Sequence, residues 1–165
     1  MIEIKLDAGK VSAALARLER ATSNLSPVMA QIAGVMHDEV EENFAQEGRP
    51  RWLGLKPPVS SRRAGGKILQ DSGLLAASIT AGSNASSAWV GTNKIYAAIH
   101  QFGGQTKPHV ILPRNKKALA FGGRVVKKVN HPGSKIPARP FLAITPSGEE
   151  RIIGKVETYL AGLIK

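Results

Sequence analysis

The chain has 165 residues and a mass of 17.5 kDa, with 42% apolar and 21% charged side chains, which fits one folded domain and excludes wholesale disorder. It has no cysteine, so disulfides and thiolate zinc sites are excluded, and an intracellular setting is the expectation. The formal charge of +11 is uneven: residues 1–47 carry a net −4, residues 48–148 a net +15 with Asp71 as their one acid, and the last seventeen are balanced.

The start MIEIKLDAGK lacks the apolar core of a secretion signal, and the nearly uncharged stretch from Ile68 to Asn93 is too rich in Ser, Gly, Asn and Thr to span a bilayer. Asp7 as N-cap, followed by Val11, Ala14, Leu15 and Leu18 at helical spacing, predicts a first helix over 8–23. Ser26-Pro27 supplies an N-cap and an N1 proline for a second helix to about 46, with Met29, Ile32, Met36, Val40 and Phe44 as its apolar stripe. His37, Asp38, Glu39, Glu41 and Glu42 then occupy its solvated face, and Gly48 with Pro50 ends it.

Residues 47–67, EGRPRWLGLKPPVSSRRAGGK, read as a long basic surface loop rich in Pro and Gly. Asp71 or Ser72 caps a short helical turn through GLLAASI, and ITAGS and AWVGT form two strands around a Ser/Asn-rich turn. Further strands fit HVIL, ALAF and RVVKKV, the last two joined by a Gly122-Gly123 hairpin turn. Ser147 and Glu150 make a capping box for a C-terminal helix carrying Ile152, Ile153, Val156, Tyr159, Leu160 and Leu163. The class is α+β: an antiparallel sheet from the middle of the chain packed by N-terminal and C-terminal helices. One domain over 1–165 is expected, with a helical part (8–46), the basic loop (47–67), a sheet-rich part (68–145) and the final helix (147–164).

No active site assembles from these residues. His37 and Glu41 are spaced i, i+4 but lack a third ligand of matching spacing, so no metal site is assigned. Nucleophilic catalysis needs a base oriented by an acid, and the one acid in the middle region, Asp71, is better used with Ser72 as a helix cap. His100, in YAAIHQFGG, has no acid, nucleophile or metal-ligand partner nearby in sequence. It reads as a hydrogen-bonding group at a corner whose buried side is Tyr96, Ile99 and Phe102. AGGKI lacks the Ser or Thr and the glycine spacing of a phosphate loop, so no cofactor is expected and the protein is not read as an enzyme. Gly48-Arg49-Pro50-Arg51 resembles the core of an AT-hook, but Glu47 precedes it and would oppose phosphates. The cationic middle favours an anionic partner, either the acidic helix of a second copy or nucleic acid held by its backbone alone.

Four segments in order, FAQEGRPRWLGL (44–55), ILQDSGLLAASI (68–79), VGTNKIYAAIHQFGG (90–104) and KIPARPFLAI (135–144), resemble the virion morphogenesis proteins of Mu-like phages and prophages, related to tail-completion and small tail-component or neck proteins. The resemblance runs from about residue 26 to the end. It implies a structural protein for tail completion or head–tail joining at the neck. As partners it implies other copies in a homo-oligomeric ring, a hexamer by analogy with a tail tube, and tail-tube, tail-terminator or head-connector proteins. It also implies a location in the host cytoplasm during assembly or in the virion tail; the excess positive charge suits nonspecific contact with DNA in the channel, and no membrane partner is expected. Rigid turns and oppositely charged faces suit such a ring. The expected assembly contacts are Arg49, Trp52, Arg62, Arg63, Phe102, Arg139 and Phe141. Trp52 serves an interface or a satellite core, and Phe141, in the extended Pro137–Phe141 segment, inserts into the core or into a neighbour. The alternative is a nonspecific nucleic-acid-binding domain using the cationic middle region.

Overall fold

Helix α1 spans Gly9–Thr22 and α2 spans Ser26–Ala45 in the computed structural model, which describes residues 9–22, 24–57, 66–121 and 123–164. The Asp7 cap and the pair Arg62-Arg63 lie outside the described residues. Val11 and Leu15, expected on the apolar stripe of α1, are exposed, while Ala14 and Leu18 are half-buried. At the start of α2, Ser26 is not the cap: Asn24 Oδ1 accepts from the Ser26 N–H at 3.1 Å, and Leu25 stands at the N-cap.

The other end of α2 is closed by a Schellman turn. Gly48 N–H donates to Asn43 O (2.8 Å) and Glu47 N–H to Phe44 O (3.4 Å), with Glu47 in the left-handed region at φ 58°. A glycine is usual at that position; here the glutamate side chain is used, its Oε1 accepting from Ile68 N–H at 2.7 Å and its Oε2 meeting Arg51 Nη2 at 3.2 Å.

The chain folds into two compact units, residues 1–94 with 141–165, and residues 95–140. In the first, α2 packs against the final helix α4 (Pro146–Ile164) and against the antiparallel hairpin β1 (Ile79–Ser83) and β2 (Ala88–Thr92), and α1 packs on α4. Because α2 is covered by both a helix and a hairpin, Val28, Ala33, Val35, Glu39, Val40, Asn43 and Phe44 are all buried, more than one narrow stripe. The β1–β2 turn is drawn by Asn84, whose Oδ1 accepts from the N–H groups of Ser86 and Ser87. Ahead of β1, Ala76–Ser78 form a single 3-10 turn.

The second unit begins with a short helix, α3 (Ala97–Phe102), stopped by Gly103 at φ 71°. A Cβ on Gly103 would lie 2.7 Å from Ala138 N, so only glycine lets the chain turn there. The strands that follow pair in a nested order: β3 (Gly104–Gln105) with β8 (Lys135–Ile136), β4 (His109–Ile111) with β7 (Val129–His131), and β5 (Leu119–Phe121) with β6 (Arg124–Val126). This is one long hairpin interrupted twice, with β5 and β6 as its innermost pair. The α+β class holds, with helices at both ends of the chain and antiparallel strands between, but the strands form four separate two-stranded ribbons. RVVKKV is accordingly two strands, broken at Lys127-Lys128.

Candidate assembly surfaces

The most developed polar arrangement lies inside the first unit. Glu39, expected on the solvated face of α2, is 2% exposed. Its Oε2 accepts from Thr145 N–H (3.1 Å) and Thr145 Oγ1 (2.7 Å) and pairs with Arg49 Nη2 (3.1 Å), while Oε1 meets Arg151 Nη1 at 3.4 Å. Burial alone would raise the Glu39 pKa; the two Thr145 hydrogen bonds and the Arg49 guanidinium outweigh it and hold the carboxyl below its ordinary value. Asn43, also fully buried, donates to Phe141 O and Ala143 O and accepts from Arg49 Nε. Arg49 is therefore a structural clamp: it also donates to Glu39 O at 2.7 Å and reaches Glu42 at 3.4 Å. Glu39 and Asn43 continue the line Val28–Val35 at spacings of seven, four and four, which is the one trace in the sequence that they face inward.

Trp52 and Phe141 take the core alternative. Trp52 is 6% exposed and meets Phe44 edge-on with ring centres 6.0 Å apart; Phe141 is fully buried and 5.3 Å from Phe44. Trp52 Nε1 is buried without a hydrogen-bond partner among the described residues. A Cβ on Gly48 would overlap the Trp52 indole, so that glycine leaves the space the ring fills.

In the second unit Arg139 is 7% exposed and its N–H donates to His100 O at 2.7 Å. The His100 ring departs from its expected role: Nδ1 is buried with no hydrogen-bond partner among the described residues, and burial, then the Arg139 charge, lower its pKa. Phe102 is 79% exposed and Tyr96 44%; the inward position of α3 is Ala97, because a six-residue helix stopped at Gly103 buries one narrow line only. Of the candidate contacts that are described, Phe102 alone is an open apolar side chain, while Arg49 is half-buried and Trp52, Arg139 and Phe141 are buried.

Two shallow open clefts, each about 330–340 Å³, lie beside Phe44, Lys67 and Ile79 and beside Glu47, Trp52 and Ile68. None of the groups with a displaced pKa, Glu39, His100 or Arg139, lines either one. His37, Asp38 and Glu41 cluster on the surface of α2, but Arg151 already holds Asp38 at 2.8 Å and His37 lies 3.8 Å from Glu41, an ordinary charged face. Among the described residues no helix is long and apolar enough to cross a membrane.

No solved structure matches. The chain is 41% identical to Mu-like prophage FluMu G protein 2 of Haemophilus influenzae over 166 aligned positions, the full length of both. The model of the phage virion morphogenesis family matches residues 6–161, which points to a structural or assembly role rather than a catalytic one; the chain belongs to that family.

Proposed function

We propose that this protein completes the tail or joins it to the head at the neck of a phage or prophage particle, acting as a homo-oligomeric ring and without catalysis. The observation that carries this reading is the make-up of residues 95–140. They hold nine Lys or Arg and no acid, and among the described residues only Ala97 and Arg139 are buried. A unit of that size with no apolar core gains its order from what covers it. A ring of identical subunits seated on tail-tube, tail-terminator or head-connector proteins provides such cover. During assembly the protein acts in the host cytoplasm, and in the finished particle it sits at the tail or neck.

Induction of a prophage lacking this gene is the direct test. Electron microscopy should show filled heads and separate tails in place of joined particles, with joining restored by the gene in trans. Normal particles from the deletion would overturn the reading. A second reading, a nonspecific nucleic-acid-binding domain, draws on the same cationic unit and predicts affinity for any duplex that falls steeply with salt.

A further inference from the structure

Residues 95–140 form a ribbon with one half-covered and one open face. Ile111, Val129 and His131 are half-buried on one side of β4–β7, while Val110, paired with Asn130, is 55% exposed on the other. In β5–β6, Leu119 and Val126 are half-buried, and Val125, opposite Ala120, is 73% exposed. A two-stranded ribbon is at best marginal in water, so the open face calls for a cover. Lys116, Lys117, Arg124, Lys127 and Lys128 surround this tip, all exposed. Its partner must therefore offer an apolar contact within a carboxylate rim, which a phosphate backbone does not.

The acids of α2 do not meet that description. Asp38, Glu39 and Glu42 are already paired with Arg151 and Arg49, which leaves Glu41, 3.8 Å from His37, as a single acid and no rim. Helix α4 does. Glu149, Glu150, Ile153 and Glu157 fall within about 100° of arc on one face, from the 3.6-residue repeat. All four are exposed, Ile153 by 56%, and the three glutamates make no ion pair among the described residues. Arg151 and Lys155 project from the opposite side. The stripe from Glu149 to Glu157 is about 12 Å long.

We propose that the β5–β6 tip of one copy docks on the α4 stripe of a second copy, Val125 against Ile153, with the tip lysines facing Glu149, Glu150 and Glu157. This rests on the ring reading above and identifies its contact. Tip and stripe are different surfaces, so each copy gives one contact and receives another, a heterologous arrangement that closes into a ring or extends as a filament.

The test uses two charge-reversed full-length proteins, Glu149→Lys/Glu150→Lys/Glu157→Lys and Lys116→Glu/Lys117→Glu/Lys127→Glu/Lys128→Glu, whose folding is checked by circular dichroism. Sedimentation should show wild type assembling, and each variant alone weakened at least about tenfold. An equimolar mixture of the two should assemble again, since every tip then meets a stripe of opposite sign. Variants that assemble as wild type does would overturn this contact and leave the ring reading standing. A wild type that stays monomeric, alone and with purified tail-tube protein, would overturn both. Loss of binding to a short DNA duplex in the lysine variant, with self-association unchanged, would assign the tip to nucleic acid and overturn the proposal.

Discussion

Thr145 caps α4 with a glutamate that belongs to another helix. In an ordinary capping box the N-cap threonine bonds the N3 amide and the N3 glutamate returns to the N-cap amide. Here Thr145 Oγ1 accepts from Gly148 N–H at 3.1 Å, but N3 is that glycine and has no side chain to return. Glu39, about a hundred residues earlier, fills the place and accepts from Thr145 N–H at 3.1 Å. The cap and the tertiary docking of α2 on α4 are thus one interaction. The expected local box of Ser147 with Glu150 does not form, because the N-cap lies two residues earlier, at Thr145, with Pro146 as the first residue of α4.

Glu39→Gln should be far more damaging than a surface carboxylate change. It leaves the largely covered Arg49 guanidinium facing a neutral amide, and breaking a buried pair in this way costs about 3 kcal/mol. Urea unfolding measures the loss, with Glu41→Gln on the exposed face of the same helix as the control expected to change stability by less than about 0.5 kcal/mol.

Gly148 and Glu39 should show strong coupling. A Cβ at Gly148 would lie 2.5 Å from the Glu39 carboxyl carbon, and that carboxylate cannot move aside without releasing Thr145 and Arg49. Gly148→Ala alone should cost about 1–3 kcal/mol as overpacking. In a Glu39→Ala background the obstruction is gone, and the helix-favouring alanine should be close to neutral. A double-mutant cycle with additive energies would disprove the shared cap.

The parts of this fold legible in the sequence are those fixed by neighbours. Asn84 draws the β1–β2 turn and Gly123, at φ 75°, leads into β6, so both hairpins and the bounds of α2 follow from local chemistry. Glu39, the α4 cap and the break at Lys127-Lys128 were not legible, because each depends on a partner distant in the chain: Arg151 and Thr145 for Glu39, and β4 for β7. The surroundings of two candidate contacts were hidden in a related way. Arg49 and Trp52 stand in a cationic, proline-rich stretch that looks like open surface, yet the Schellman turn at Glu47 folds it back onto α2.

Stability should fall in two steps as pH drops. The His100 pKa is lowered in the fold, so below about the ordinary 6.5 the unfolded chain takes up a proton that the folded protein resists, and stability declines with pH. Glu39 is also lowered, so its contribution is complete above the ordinary 4.5 and is lost as pH falls through the folded value. Unfolding followed across pH should show His100→Leu flattening the upper step only, and Glu39→Gln removing the lower one.

Asn43→Ala should cost about 2–3 kcal/mol, since it leaves Phe141 O and Ala143 O without their donor and Arg49 Nε without its acceptor. Asn43→Asp should be worse despite equal size, because a carboxylate would face two carbonyl oxygens. Thermal unfolding orders wild type above alanine above aspartate; the reverse order for the two variants would mean that Arg49 rather than the carbonyls dominates the site.

Trp52 separates a core role from an interface role. Its ring is packed on Phe44 and nearly unexposed, so Trp52→Ala should cost about 3–5 kcal/mol. Trp52→Phe keeps the aromatic contact and deletes a buried N–H that has no partner among the described residues, which offsets part of the lost area, so about 1 kcal/mol or less is expected. An interface anchor would behave differently: Trp52→Phe would leave unfolding unchanged while weakening self-association. Sedimentation at a concentration where wild type assembles should instead show the Phe variant assembling normally. The second tryptophan, Trp89, is 50% exposed, so Trp89→Phe isolates the blue-shifted emission of the buried indole, and this emission should not change on assembly.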